Sequence, residues 1–141
     1  MICQANIHEL PAWVELLAAR WPNAHGNVSF VAPSTDLVPR THALIPRYAE
    51  VLPFLAEAVA LAAERGVDVG GFESMCGVPL CLVRRTLDLC FALSKIPPGL
   101  DAGEFVKPSP CADCTLASRC YGLRRGHEKL HGHAELRPVR A

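Results

Sequence analysis

The fold is decided by residues 46–72, which read PRYAEVLPFLAEAVALAAERGVDVGGF. Apolar side chains recur there at helical spacing on one broad face, and the run stops at Gly66. Pro53 lies within the run and allows a kink or a restart. Residues 67–72 then have the composition of a β-strand. We therefore predict the longest helix of the chain over residues 46–65, followed directly by a strand.

The same order of elements precedes this stretch. Residues 10–21 carry apolar side chains at helical spacing and end before Pro22, so they predict a helix with one buried face. Residues 27–32 form a short β-prone run between Gly26 and Pro33. An order of helix, strand, helix and strand with short connections favours parallel α/β packing. Residues 84–94 predict one further helix.

Size and charge set the class of protein. The 141 residues are 50% hydrophobic, which suffices for one compact domain. Because 14 Lys and Arg balance 14 Asp and Glu, we expect no nucleic-acid partner. The longest apolar stretch, residues 51–63, is too short and too polar to predict a membrane span. Without a signal-peptide-like start, the seven cysteines indicate a cytoplasmic protein with reduced thiols.

The texture of the sequence changes after residue 94. Residues 95–141 are rich in proline and glycine and poor in large aliphatic side chains. We expect this segment to be irregular and unable to form a hydrophobic core of its own. A bound metal cluster would order it instead. The chain is therefore divided into residues 1–94, an α/β segment, and residues 95–141, a cysteine-rich tail.

Three cysteines of the tail lie within ten residues. Cys111 and Cys114 have the spacing of a tight turn that lets both sulfurs reach one metal, and Cys120 follows after five residues. A fourth ligand is expected just beyond the strand predicted at residues 67–72, where Cys81 is favoured over Cys76. The pattern predicts an iron–sulfur cluster.

Other chemistries remain open from the residues alone. Four thiolates also suit a structural zinc ion, although zinc sites more often use two paired Cys-x2-Cys turns. A second zinc site on His127, His131 and His133 competes with a simple polar turn at those residues. A nucleophilic cysteine, Cys81 or Cys76, is a third hypothesis, and no spacing in the sequence pairs either with a histidine.

Several motifs resemble the C-terminal end of radical SAM proteins of the molybdenum-cofactor-synthase-like or peptide-maturase-like kind. These motifs are Gly77-Val78-Pro79-Leu80-Cys81, Phe105-Val106-Lys107, Cys111-x2-Cys114-x5-Cys120-Tyr121-Gly122 and Gly132-His133-Ala134-Glu135-Leu136-Arg137-Pro138. The resemblance implies that residues 1–94 are the last βα units of a partial (β/α) barrel. It also implies that residues 95–141 are an auxiliary-cluster tail in which Cys81, Cys111, Cys114 and Cys120 bind an auxiliary [4Fe-4S] cluster beside the substrate.

The chain also departs from that family. The Cys-x3-Cys-x2-Cys triad whose cluster binds S-adenosylmethionine is absent from the sequence, and Arg124 stands where two-cluster SPASM tails have a further cysteine. A single, twitch-like cluster fits better. We therefore expect a cluster-binding fragment or subunit that does not itself cleave S-adenosylmethionine. Its partner would be the missing radical SAM core, acting on a peptide or small molecule that the sequence does not identify.

Overall fold

The computed structural model describes residues 1–31, 39–73, 77–85, 96–97, 99–100 and 103–141. In these ranges the helices and strands, in chain order, are α1 (Leu10–Arg20), β1 (His25–Asn27), α2 (Tyr48–Arg65), β2 (Asp68–Gly70), β3 (Phe105–Val106), β4 (Leu123–Arg124) and α3 (Arg125–His131). None of the helices in the described part of the chain has the length and apolar character needed to cross a membrane.

The N-terminal half is a parallel α/β arrangement. Strands β1 and β2 pair in parallel, with Gly26 opposite Val69, and the Val28 N–H extends the pairing by donating to the Gly70 carbonyl at 2.9 Å. Ile2 forms a parallel bridge with Phe30, and α1 packs against α2. The predicted α/β class is therefore confirmed at this level, with parallel neighbours joined through helices.

Helix α2 follows the prediction closely. It runs without interruption through Pro53 and ends at Gly66, whose left-handed φ of 66° closes the last turn. The restart that Pro53 allows does not occur, and the proline is the sixth residue of one continuous helix. Strand β1 is less well predicted, since the paired residues lie at 25–27 rather than over residues 27–32. Residue 32 and most of the helix predicted over residues 84–94 lie outside the described residues.

The tail is more regular than expected. It contains the β3–β4 hairpin and helix α3, and Leu123 and Leu136 are buried in the same core as Val14 of α1 and Val51 of α2. The expectation of an irregular segment is therefore wrong for these parts. Although the tail lacks enough apolar residues for a core of its own, it adds the few it has to the core of the N-terminal half.

Candidate metal centre

Three of the predicted ligands lie in the loop that joins β3 to β4. The two strands pair in antiparallel fashion, with Phe105 opposite Arg124 and Val106 opposite Leu123, so both ends of the loop are held together. Gly122 ends the loop with a φ of 88°, and a Cβ added there would lie 2.4 Å from the Val106 carbonyl oxygen. Only glycine allows the returning chain to approach β3 this closely.

Consecutive backbone turns fix Cys111 and Cys114 within this loop. The Cys111 N–H donates to the Pro108 carbonyl at 2.8 Å, and the Cys114 N–H donates to the Cys111 carbonyl at 3.2 Å. The Ala117 N–H then donates to the Cys114 carbonyl at 3.0 Å. Both cysteines are half-buried and pack against the hydrophobic core. The Cys-x2-Cys spacing thus forms the tight turn that the sequence predicted.

Cys120 lies near the end of the loop, where a backbone donor reaches its sulfur. The Gly122 N–H donates to Cys120 Sγ at 3.3 Å. A backbone N–H directed at a cysteine sulfur stabilises the thiolate form, and such bonds tune the properties of iron–sulfur ligands. Gly122 therefore contributes both the close approach of the chain and a hydrogen bond to the site.

Cys81 comes from a separate segment of the chain. It lies in the single 3-10 turn Leu80–Leu82, which follows Pro79, and its side chain is 9% exposed. The backbone N–H of Arg137 donates to its sulfur and so favours its thiolate form. The tail thereby contributes a backbone donor to Cys81.

The electrostatics place all four cysteines in one neighbourhood. The pKa of Cys81 is raised to about 11, first by burial and then by negative charge on Cys120, Cys114 and Cys111 in that order of strength, against partial opposition from the Arg137 backbone. Burial, followed by Cys120 and Cys114, also raises the pKa of Cys111, while Lys107 lowers it. Negative charge on one of these sulfurs thus disfavours the thiolate forms of Cys81 and Cys111, and a bound cation would reverse the effect.

The donor set fits a thiolate-bound metal group in its composition. Four cysteines on two separate segments act on one another, and sulfur is the ligand that iron–sulfur clusters require. Within the described ranges, however, no group of three or more His, Cys, Asp or Glu side chains has the arrangement needed to hold a metal ion. Cys76, the other candidate for the fourth ligand, lies outside the described residues.

The histidines form a buried cluster that the sequence did not predict. The ring of His127 stacks on Tyr48 with centroids 4.1 Å apart, and it lies 4.7 Å from the ring of His131. The pKa of His127 is lowered to about 4, mainly by burial and next by the neighbouring His131. The polar-turn interpretation is therefore wrong for His127. His133 differs, since its ring is half-exposed and bonds to Glu128 at 3.2 Å.

Tyr48 connects this cluster to the cysteines. Burial raises the pKa of its hydroxyl, and Cys120 is the next largest cause of the rise. Hydropathy patterns assign histidine to the surface, so no signal in the sequence indicated that His127 would pack against the tyrosine. Comparison of the chain with protein-family models, with curated proteins and with solved structures found no match.

Proposed function

We propose that Cys81, Cys111, Cys114 and Cys120 hold a [4Fe-4S] cluster. The observation that carries the proposal is that Cys120 and Cys114 of the β3–β4 loop raise the pKa both of Cys111 in the same loop and of Cys81 in the separate 3-10 turn. Without a metal, burial and the charge that neighbouring thiolates would carry keep Cys81 in its protonated, neutral form at neutral pH. A cationic cluster compensates for both the burial and the repulsion.

The protein supplies more than ligands in this proposal. The backbone N–H groups of Gly122 and Arg137 donate to the sulfurs of Cys120 and Cys81, and Lys107 carries positive charge close to Cys111. All three groups stabilise negative charge on sulfur. A bound cluster would supply a centre for electron transfer, whose reduction potential depends on such hydrogen bonds and charges.

We further propose that the chain is the cluster-binding part of a radical SAM enzyme, either a fragment or a subunit. Supporting this, α1 and α2 join parallel neighbours in the order Ile2, β1 and β2, as consecutive βα units of a partial barrel would. The S-adenosylmethionine-cleaving triad is absent from the 141 residues, so the radical would come from a core supplied elsewhere. The reconstituted chain alone should form no 5′-deoxyadenosine, and its formation would refute this part of the proposal.

Metal analysis after anaerobic purification tests the cluster directly. We expect a brown protein that contains iron and acid-labile sulfide, with about four of each per chain. Replacing any of the four ligands with alanine should lower both contents sharply. Cys3→Ala is the matched control, because Cys3 is half-buried but belongs to the N-terminal segment.

Two outcomes would contradict the cluster. A colourless protein with one zinc per chain after anaerobic preparation would assign the same cysteines to structural zinc. Equal loss of iron from Cys3→Ala and Cys81→Ala would show that the assembly depends on folding rather than on these ligands.

A further inference from the structure

A groove of about 400 Å³ runs beside α2, on the side where the Cys81 turn packs against the helix. Its floor is a stripe of α2 formed by Leu52, Leu55, Ala56 and Val59, at the spacing i, i+3, i+4 and i+7 of one helix face. Leu55 and Val59 also reach the core, whereas Ala56 is exposed. The groove therefore has an apolar floor that is open to solvent.

The lining outside α2 includes three arginines, which form the cationic wall of the groove. Arg84 and Arg85 are exposed and follow the Cys81 turn directly, while Arg137 reaches the groove from the tail. Arg137 Nη1 donates to the carbonyl oxygens of Ala134 and Leu136, at 2.8 and 2.9 Å. These bonds orient the guanidinium but do not neutralise its charge, because carbonyl groups carry none.

Among the described residues that line the groove, the three arginines are the charged members, and no carboxylate accompanies them. Positive charges gathered at one place repel one another, and binding of an anion relieves the repulsion. The planar guanidinium group matches a carboxylate in particular, since it can donate two parallel hydrogen bonds.

We propose that this groove binds a small amphiphilic carboxylate. The carboxylate would lie against Arg84, Arg85 and Arg137, and the apolar part would lie along the α2 stripe. The volume falls in the range of small-molecule sites, and a lining of apolar side chains with three arginines matches a ligand that has an apolar part and one negatively charged end. The proposal stands on the groove residues and does not require that the cysteines hold a cluster.

The test uses three eight-carbon ligands that differ in charge, titrated into the full chain and followed by backbone amide chemical shifts. Octanoate should shift resonances of the α2 stripe and of residues 82–85, with binding about tenfold tighter than that of octanamide. Octylammonium should bind more weakly than either. Equal affinity for octanoate and octanamide, or tighter binding of octylammonium, would overturn the proposal, as would no octanoate binding at millimolar concentration.

Variants test the cationic wall and the apolar floor separately. The double variant Arg84→Gln/Arg85→Gln should weaken octanoate binding about tenfold and leave octanamide binding unchanged, whereas Arg20→Gln at the end of α1 should change neither. Ala56→Glu places a carboxylate on the exposed floor and should remove octanoate binding without unfolding the chain. Cys111 does not line the groove, so Cys111→Ala should lose iron but keep octanoate binding, which separates failure of this proposal from failure of the cluster.

Discussion

The carboxylate of Glu135 accepts the backbone N–H of Ala49 at 2.9 Å, although 86 residues separate them in the sequence. It also accepts the N–H of Tyr48 at 3.3 Å, so the tail caps the first turn of α2. The N-terminus of a helix has N–H groups without intrahelical partners and carries partial positive charge, and a carboxylate satisfies both conditions. One side chain thus links the segment after α3 to the longest helix.

Replacing this cap should destabilise the protein. We expect Glu135→Gln to lower the free energy of unfolding by about 1 kcal/mol, because the charge is lost while the shape is kept. Urea denaturation at pH 7 measures the change. Glu57→Gln is the control on the exposed face of the same helix, where a change below about 0.5 kcal/mol is expected. Equal effects of the two variants would contradict the capping role.

His127 should make stability depend on pH in the acidic range. Burial, His131 and Arg47 lower its pKa to about 4, against partial opposition from the Pro46 backbone. The unfolded chain therefore binds a proton near pH 6.5, while the folded protein resists it. The contribution of neutral His127 to the free energy of unfolding is therefore complete above pH 6.5. About 3 kcal/mol of that free energy should be lost as the pH falls towards 4.

The variant His127→Phe checks this assignment. It keeps an aromatic ring beside Tyr48 and removes the titrating group, so the loss of stability between pH 6.5 and 4 should become shallower. His8→Gln, at an exposed site before α1, should keep the original slope. An unchanged slope in His127→Phe would show that other groups cause the acid sensitivity.

Gly122, at the end of the cysteine loop, should tolerate a side chain less well than a glycine of similar backbone conformation elsewhere in the chain. Gly122→Ala adds the cost of a left-handed conformation and brings Cβ to 2.4 Å from the Val106 carbonyl oxygen. Gly99→Ala has a similar φ, 78°, with no atom within 4 Å of the added Cβ. We expect Gly122→Ala to be at least about 1 kcal/mol more destabilising than Gly99→Ala and to reduce iron content. Equal effects would show that only the backbone conformation matters.

Cys81 should make the metal-free protein sensitive to alkali. Its pKa is about 11 in the folded chain against an ordinary value of 9.0, so the unfolded chain loses its proton first. The contribution of the protonated Cys81 thiol to the free energy of unfolding is therefore complete below pH 9. About 2 kcal/mol of that free energy should be lost as the pH rises from 9 to 11. Protein that carries metal on the thiolates should lose less over this interval. Denaturation of both forms at pH 8 and pH 10.5 measures the difference.

Local periodicity accounts for the parts of the fold that the sequence predicted. Helices α1 and α2 each have a repeating apolar face, and Gly66 marks the end of α2. The strands were less predictable because each pairs over two or three residues, too few for alternation to mark a boundary. The register of β1 depends on its partner β2, which lies more than forty residues away.

In the candidate site, too, local sequence patterns predict only the contacts between residues that are close in sequence. The Cys111 and Cys114 turn follows from spacing alone, whereas the approach of Cys81 to that loop depends on packing of the tail. His127 is buried through its contact with Tyr48 on another helix, and Glu135 caps α2 from 86 residues away. Neither contact leaves a pattern in neighbouring residues, so single-sequence reasoning assigns both side chains to the surface.

The end of the tail is synthesised after every cysteine of the chain. The Thr115 N–H donates to the Val139 carbonyl at 2.8 Å, and the Arg137 N–H donates to Cys81, so residues 137–139 hold both cysteine-bearing segments. During synthesis from the N-terminus, these residues emerge from the ribosome after all seven cysteines. Until they do, the thiols lie on segments that this part of the chain does not yet fasten together. A cluster held here would therefore gain its fully fastened site only after residues 137–139 have been synthesised.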